Sequence, residues 1–376
     1  RLPEKPLDPW YAVHNGFEVQ IDSAGDEWHS TGAIYSLSKA KQGFQKPDGE
    51  WNTMEIQLKG ALTSVTLNGT VVNQFDPSKP VPPRPWPGGP AAVRMAAMNS
   101  RERVLTVLGR GIPDRVPLDY HGNAGIDRRL KAHFGLAEDD GEGLRRALGV
   151  DVRGVGPAYT GPVLHAPIAD RRVDPQTGVR TRWIEHSSGG YWDFCDFPLE
   201  QADLAAVEAW PLPHPDHHDY VGVRAQAQRH RDAGLAVYTG HAGLGDNMNS
   251  CGFLRNYEQV LLDLASDEPA GLRLMDRRND LQLAVLDRTL AAAGDLIDFV
   301  WMGEDLGTQI GPLISLDMFR RHIRPRLQRF VDCARSYGKP VMIHCCGSSS
   351  WAFDDFATMG IAAVRSEERH VGKECR

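Results

Sequence analysis

A helix followed directly by a short apolar strand decides the fold class, and residues 315–346 read SLDMFRRHIRPRLQRFVDCARSYGKPVMIHCC. Ser315 together with Asp317 favours a helix start, because a serine side chain caps free backbone N–H groups and an acid suits the positive helix end. Gly338-Lys-Pro340 ends this helix, since glycine adopts the left-handed conformation of a helix end and proline cannot continue the helix. The apolar run at 341–344 then predicts a buried strand.

Short apolar runs and helical stretches keep alternating through the part of the chain that follows residue 95. Strands are predicted at 116–120, 150–155, 235–240, 297–302, 341–344 and 361–364. Helices are predicted at 99–108, 220–232, 256–264, 271–293 and 316–337. Residues 166–194 interrupt the alternation with a turn at 174–178, which predicts a hairpin insertion. Repeated strand–helix units indicate a parallel sheet, either doubly wound or closed into a (β/α)8 barrel.

The residues before position 77 show a β pattern instead. Residues 16–22 alternate apolar and polar side chains, and residues 51–58 contain a second run of this kind. Asn68-Gly69 stands between two β-branched runs, which is the strongest short-range signal for a hairpin. We therefore predict part of an antiparallel β-sandwich. Residues 77–90 contain seven prolines, and this composition predicts a stiff, extended linker between the two parts.

Composition and missing motifs argue against several classes of function. A net charge of −7, from 42 basic and 49 acidic residues, is not typical of a general nucleic-acid binder. No run reaches the roughly 18 apolar residues of a membrane span. Six cysteines in 376 residues exclude a disulfide scaffold. No Gly-x-Gly-x-x-Gly motif follows a strand and no Gly-x-Ser-x-Gly motif occurs, so neither a nicotinamide cofactor nor a serine hydrolase is predicted.

The candidate active site lies at the carboxyl ends of the predicted strands, as in other parallel α/β folds. His344 and Cys346 would point the same way there, because side chains on a strand repeat every two residues. An imidazole and a thiolate on one side suit a tetrahedral zinc site, which needs a third protein ligand. We predict Glu304 as that ligand, with Asp305 behind it. The alternative is that Cys345 and Cys346 are small apolar fillers and that His344 only forms a hydrogen bond.

Polar side chains at the strand ends are also candidates for catalysis on a small-molecule substrate. Glu304 and Asp305 can do acid–base work or bind metal, or they can belong to a solvated loop. Asp119 comes at the end of the strand predicted at 116–120. His241 lies in the glycine-rich segment 239–245, where glycines let a ligand approach the backbone closely. We predict catalytic roles for these four residues.

Residues 92–364 resemble the uroporphyrinogen decarboxylase superfamily. The matching stretches are 99–105 (NSRERVL), 113–117 (PDRVP), 298–325 and 340–347 (PVMIHCCG). The resemblance implies a (β/α)8 barrel, in agreement with the alternation of strands and helices. Six of its eight strands can be identified, so the barrel is expected to be truncated at its C-terminal end.

Two activities fit this resemblance. His344-x-Cys346 looks like the zinc motif of the corrinoid-dependent methyltransferase branch, in which a zinc-bound thiol accepts a methyl group carried on a corrinoid. This implies zinc and a corrinoid as cofactors and a corrinoid protein as a partner. The alternative is uroporphyrinogen decarboxylase, a lyase of tetrapyrrole synthesis, with Asp119 as the acid nearest the substrate. The chain departs from the decarboxylase pattern, because segment 118–124 lacks the arginines that grip the propionates of the porphyrinogen.

Residues 15–76 resemble the 3-keto-disaccharide hydrolase-type domain, which is a concanavalin-like β-sandwich. The segments that carry this resemblance are 16–22, 31–35, 49–53 and 67–69. The resemblance implies glycan binding or hydrolysis. Glu18, Tyr35 and Trp51 are the predicted sugar contacts, since aromatic faces and carboxylates suit sugars, while packing of Trp51 in the core is the alternative.

These observations divide the chain into four segments. We predict a partial β-sandwich at 1–76, a proline-rich linker at 77–94, a truncated barrel at 95–364 and a non-native tail at 365–376. The chain is expected to derive from an enzyme whose barrel is fused to a fragment of a glycoside-hydrolase-type domain. A cytoplasmic location is expected for the barrel. The N-terminal domain is expected outside the cytoplasm, with its signal not visible because the chain begins internally.

Overall fold

The computed structural model describes residues 19–21, 27–28, 30–34, 37–47, 49–60, 62–79, 98–186 and 189–366. The chain divides into two compact units, Arg1–Met95 and Ala96–Arg376. The first unit contains antiparallel strands, and the second contains a parallel sheet with helices. Among the described residues, no helix is both long and apolar enough to cross a membrane.

The first unit contains a three-stranded antiparallel sheet. Its strands are β1 (Met54–Lys59), β2 (Leu62–Leu67) and β3 (Thr70–Phe75), in that order. The predicted hairpin is confirmed, because Asn68 and Gly69 connect β2 to β3 with φ angles of 49° and 83°. Asparagine and glycine tolerate this left-handed region better than other residues, which explains their place in the turn.

One face of this sheet is buried and the edge strand β1 is not. Val65, Leu67 and Val72 pack with Ile34 and Phe75 into a small apolar cluster. On β1, Ile56 and Leu58 are 49% and 73% exposed, although the sequence places them in step on one face. The described residues of this unit form one sheet, so the second sheet of the predicted β-sandwich stays a prediction.

The second unit combines one parallel sheet with two small antiparallel additions. Its strands are β4 (Val152–Val155), β5 (Ala158–Tyr159), β6 (Arg172–Val173), β7 (Arg180–His186), β8 (Gly189–Phe194), β9 (His218–Asp219), β10 (Ala236–Gly240), β11 (Phe299–Gly303), β12 (Val341–His344) and β13 (Ala363–Arg365). Its helices are α1 (Ser100–Leu108), α2 (Ala124–His133), α3 (Gly141–Ala147), α4 (Leu204–Ala209), α5 (Tyr220–Asp232), α6 (Met248–Arg255), α7 (Tyr257–Ser266), α8 (Pro269–Ala293), α9 (Leu316–Met318), α10 (Arg324–Ser336) and α11 (Phe353–Met359).

The parallel sheet has the strand order β13-β12-β11-β10-β4. This spatial order follows the chain order without a reversal, whereas a doubly wound sheet reverses at a switch point. The main core lies between this sheet and helices α4 to α11. Among the described residues β4 and β13 are the two edges of the sheet, so closure into an eight-stranded barrel is not confirmed.

Five of the six predicted parallel strands are confirmed, and the strand predicted at 116–120 is wrong. That segment is extended, but it joins no ladder. Pro117 has no N–H to donate. Leu118 instead donates its N–H to the Asp151 carboxylate at 2.7 Å and accepts the N–H of Asp151 at 2.8 Å. A buried side chain therefore replaces the neighbouring strand that the pattern predicted.

The helix predictions at 99–108, 220–232, 256–264, 271–293 and 316–337 are confirmed, with one difference in the last. A π-helical turn, Phe319–Ile323, separates α9 from α10. The predicted cap is present, because Ser315 Oγ accepts the N–H of Met318 at 3.1 Å. The hairpin insertion is also confirmed as the antiparallel sheet β6-β7-β8. Its turn is held by Asp174, whose carboxylate accepts the N–H of Thr177 at 2.7 Å.

Candidate metal centre and adjoining cavity

The carboxyl ends of β10, β11, β12 and β13 meet at one edge of the parallel sheet. The residues at or just after these ends include the predicted site residues, together with Arg365: His241, Glu304, Asp305, His344 and Cys346. The register pairs Gly303 with His344, so the residues that follow β11 and β12 lie level with each other. This register, rather than proximity in sequence, brings the side chains of the candidate site together.

Asp305, His344 and Cys346 form a compact group of metal-ligating side chains. Their ligand atoms all lie within 4.8 Å of one another. Cys346 Sγ is 3.3 Å from His344 Nε2, and Asp305 Oδ1 is 3.7 Å from the same nitrogen. The structure therefore brings the predicted His344 and Cys346 together, and Asp305 is the third member. We call these three residues the HDC cluster.

Neighbouring groups fix the carboxylate of the HDC cluster. The backbone N–H of Cys346 donates to Asp305 Oδ1 at 2.8 Å. The side-chain amide of Asn249 donates to Asp305 Oδ2 at 3.3 Å. Both bonds go to charged oxygen, so they are stronger than bonds between neutral groups. Asp305 is thus oriented before any ligand arrives.

Glu304 lies outside the HDC cluster. Its carboxyl group accepts the backbone N–H of Asn247 at 2.8 Å, the Asn247 side-chain amide at 2.9 Å and the N–H of Met248 at 3.2 Å. Burial, reinforced by the charge of Asp246, raises the pKa of Glu304 well above its usual value. Consecutive side chains of an extended segment point to opposite sides, so Asp305 takes the place predicted for Glu304. Glu304 instead holds the start of α6.

Arg365 connects the HDC cluster to Asp119. Arg365 Nη1 lies 3.2 Å from His344 Nδ1, and Arg365 Nε lies 3.8 Å from Asp119 Oδ2. The guanidinium also lies over the ring of Trp301, 5.3 Å from its centroid. Because a guanidinium can only donate, His344 accepts at Nδ1 and carries its proton on Nε2, next to Cys346.

Asp119 is held on the other side by His121. His121 Nε2 is 3.0 Å from Asp119 Oδ2, and the His121 ring meets the Trp301 ring edge-on at 4.9 Å. Burial raises the pKa of Asp119, but the hydrogen bond and charge of His121 and the charge of Arg365 outweigh it and lower the pKa overall. Asp119 is therefore a carboxylate that faces Arg365.

Removing the Arg365 side chain is expected to strengthen the binding of a divalent metal ion to the HDC cluster by about tenfold, or ~1.4 kcal/mol. Coordination through His344 Nε2 would place the imidazole proton on Nδ1, where it would oppose the guanidinium. Arg365→Met removes this opposition and a positive charge beside the cation. A competition titration against a chromophoric chelator measures the affinity. Arg329→Met is the control, because Arg329 pairs with Asp280 at 2.7 Å elsewhere on the surface. Unchanged or weaker binding in Arg365→Met would contradict this interpretation.

A cavity of about 820 Å³ adjoins this edge of the sheet, and His241 lies in its wall. Its lining includes the aromatic rings of His121, Tyr238 and Trp301 and the polar side chain of Arg278. Gly240 lies against β11, since a Cβ at this position would lie 2.1 Å from the carbonyl oxygen of Trp301. Gly240, the last residue of β10, thus permits close approach of the neighbouring strand, while the predicted approach of a ligand to segment 239–245 stays a prediction.

The His241 side chain lies in this wall and is exposed. Desolvation, and after it the charge of Arg278, lowers the pKa of His241. Its Nδ1 accepts the N–H of Gly243 at 3.0 Å, which leaves the proton on Nε2. His241 is separate from the HDC cluster and can serve the cavity as a hydrogen-bond donor.

The predicted sugar contacts have different outcomes. Glu18 and Tyr35 lie outside the described residues. Trp51 is 92% exposed, so it does not pack in the core. Its ring is available for stacking against a ligand.

Four residues of this region were missed by reasoning from the sequence. Arg365 comes directly after the last predicted strand, so extending the strand-end rule by one residue would have found it. Asp246 follows the glycine-rich segment 239–245 and lies beside Glu304. Trp301 and Arg278 carry no signal, because one lies inside an apolar strand and the other in the middle of a long helix.

Two protein families match separate parts of the chain. The model of the 3-keto-alpha-glucoside-1,2-lyase-like domain matches residues 5–99. The model of uroporphyrinogen decarboxylase (URO-D) matches residues 247–374, a span that contains the whole HDC cluster and Arg365. These matches confirm both resemblances found in the sequence. No curated protein sequence matches the chain.

Proposed function

We propose that the second unit is a zinc-dependent methyltransferase of the uroporphyrinogen decarboxylase superfamily, which transfers a methyl group from a corrinoid to a thiol. The match over residues 247–374 supports the superfamily. The observation that carries the zinc-dependent part is the HDC cluster at the carboxyl ends of two adjacent strands. The sequential order of the parallel strands supports a (β/α)8 barrel as the underlying fold.

The donor set of the HDC cluster fits zinc by type and by spacing. A catalytic zinc site uses three protein ligands from imidazole, thiolate and carboxylate and keeps one position open. With ordinary zinc bond lengths, tetrahedral donor atoms lie about 3.4 to 3.6 Å apart. The distances of 3.3 Å and 3.7 Å from His344 Nε2 to its two neighbours bracket that range. The cluster can therefore close around one ion with small side-chain movements.

The proposed chemistry divides between the metal and the surrounding side chains. Zinc, when bound, lowers the pKa of a coordinated thiol so that a nucleophilic thiolate is present at neutral pH. Asp305 and Cys346 offset the charge of the cation, and hydrogen bonds from Asn249 and a backbone N–H hold Asp305 in place. Asp119 can receive Arg365 when His344 turns its Nε2 to the metal. A corrinoid protein is the proposed partner that carries the methyl group.

Decarboxylation of uroporphyrinogen is the alternative activity for this unit. A tetrapyrrole with many carboxylates needs several cations in its binding site. Among the described residues that line the cavity, Arg278 is the one lysine or arginine. Asp119 is held by His121 and faces Arg365 rather than an open pocket. These contacts favour the methyltransferase.

Methyl transfer from methylcobalamin to 2-mercaptoethanol tests the proposal directly. The zinc-loaded full chain is expected to form the methyl thioether at least tenfold faster than the chelator-treated chain. Mass spectrometry detects the thioether, and the visible spectrum follows the loss of methylcobalamin. Equal rates with and without zinc would contradict the proposal. Carbon dioxide release from uroporphyrinogen by the chelator-treated chain would favour the decarboxylase instead.

Glycan binding is a second proposed function, and it belongs to the first unit. The match over residues 5–99 and the exposed ring of Trp51 support it. An indole face stacks well on the apolar face of a sugar ring.

A further inference from the structure

Unpartnered nitrogen atoms are concentrated around the cavity. Within the described residues, four buried side-chain nitrogen or oxygen atoms have no hydrogen-bond partner. Three of the four belong to residues that line the cavity: Arg278 Nε, Trp301 Nε1 and His218 Nδ1. An orphaned buried polar atom costs about 1–3 kcal/mol, so native proteins rarely gather several at one place without a ligand. The residues of the cavity wall therefore include polar atoms whose hydrogen bonds the described residues do not satisfy.

Arg278 adds a positive charge to this wall. Its side chain makes no hydrogen bond or ion pair with any described residue, while other arginines of α8 are paired. Arg273 Nε bonds Glu208 at 2.5 Å, and Arg277 donates to the carbonyl oxygen of Trp210 at 3.0 Å. A guanidinium that is neither paired nor fully solvated is unfavourable unless an anion joins it. The cavity therefore has a cation in its wall, and no described residue acts as its counter-ion.

Asp246 does not supply the missing anion. The charge of Arg278 affects the pKa of Asp246, yet the two groups form no ion pair. Asp246 Oδ2 accepts the hydroxyl of Ser250 at 2.8 Å and its N–H at 3.0 Å. Among the residues that the structure describes, no acidic side chain pairs with Arg278, so a bound anion can fill this role.

The rest of the lining is apolar or aromatic. Leu281, Val285 and Leu286 line the cavity on the helical side, and Tyr238 and Trp301 line it on the strand side. Such walls suit an apolar or aromatic body, while a single guanidinium suits one carboxylate, which it binds with two parallel hydrogen bonds.

We infer that the cavity binds a small organic carboxylate with an apolar or aromatic body, and that Arg278 pairs with its carboxylate group. This site is separate from the HDC cluster, whose members do not line the cavity. The inference therefore goes beyond methyl transfer and does not need a metal. It assigns a ligand class to a region for which the family matches give none.

Calorimetric titration of the full chain with benzoate and with benzamide tests the inference. The two probes share one shape and differ in charge, so benzoate is expected to bind at least tenfold more tightly. Arg278→Gln is expected to remove this preference, and Arg278→Lys is expected to keep part of it. Arg273→Gln is the matched control on the same helix, because Arg273 pairs with Glu208. It should leave both affinities unchanged.

Three results with benzoate and benzamide would overturn the inference. These are equal affinities for benzoate and benzamide, no binding of benzoate, and an unchanged preference in Arg278→Gln. Tighter binding of phenylphosphonate than of benzoate would contradict the carboxylate assignment.

Thermal unfolding in the absence of probe provides a second readout. Arg278→Gln is expected to melt at the same or a higher temperature than the original chain, because the substitution breaks no hydrogen bond and removes a charge without a partner. A clear decrease in melting temperature would show that Arg278 has a structural partner.

Discussion

Replacing Cys346 with serine is expected to weaken zinc binding by at least about 100-fold, or ~2.7 kcal/mol. The thiolate is the softest donor of the HDC cluster, and zinc strongly favours thiolate sulfur. A serine hydroxyl stays protonated at neutral pH and is a poor replacement. Only His344 and Asp305 would remain, and two ligands seldom hold zinc in water. Competition titration of the full chain against a chromophoric chelator measures the loss.

Two neighbouring substitutions provide matched controls for Cys346→Ser. Cys345→Ala also removes a thiol, but Cys345 is fully buried, and burial raises the pKa of its thiol to about 12. Glu304→Gln tests the residue that the sequence favoured, whose carboxyl group holds the start of α6. Both variants are expected to bind zinc with the affinity of the original chain. Stoichiometric zinc in Cys346→Ser, or its loss in Glu304→Gln, would remove the basis for the HDC cluster as the metal site.

Replacing Asp151 with alanine is expected to destabilise the second unit by about 3–5 kcal/mol. This fully buried carboxylate accepts Arg103 Nη1 at 2.6 Å, Arg115 Nη1 at 2.7 Å and the N–H of Leu118 at 2.7 Å. Its removal leaves two guanidinium groups without their shared partner. Because Leu118 precedes Asp119, the substitution also releases the segment that places Asp119 beside Arg365. Urea unfolding of the full chain at pH 7 measures the change.

The pH dependence of unfolding gives Asp151 a second test. Burial raises its pKa, but the N–H of Leu118 and the guanidinium of Arg115 outweigh burial and lower the pKa overall. A folded-state pKa below the unfolded value means that the stabilisation is complete above the unfolded value of about 3.9 and disappears as the pH falls through the folded value. The original chain should therefore lose more stability below about pH 4 than Asp151→Ala does. Asp295→Asn is the control, since its ion pair with Arg224 is exposed and worth at most about 1 kcal/mol. Parallel acid profiles for the original chain and Asp151→Ala would contradict the role given to Asp151.

The parallel sheet could be predicted from the sequence because its signals are local. Apolar runs, the cap at Ser315 and the stop at Gly338-Lys-Pro340 each act over a few residues. The segment 116–120 failed because its hydrogen-bond partner is the side chain of Asp151, about thirty residues away in sequence. A pattern of apolar residues carries no information about such a partner.

Part of the candidate site could be predicted because some of its signals are also local. The two-residue spacing of His344 and Cys346 places their side chains on the same side, because both belong to one extended segment. The choice between Glu304 and Asp305 depends on the side to which each residue points after β11 ends, and that depends on the register with β12. Arg278 reaches the cavity through the packing of α8 on the sheet, which no single-residue pattern reveals.

The HDC cluster joins positions that are far apart along the chain. Asp305 and Cys346 are 41 residues apart, and α9 and α10 lie between them. Closing a loop of this length costs conformational entropy, and this cost is already included in the folding of the sheet. A cation bound here would act as a reversible cross-link between β11 and β12, with no comparable site in the unfolded chain. Each tenfold excess of free metal over its dissociation constant would then add about 1.4 kcal/mol of resistance to separation of these two strands.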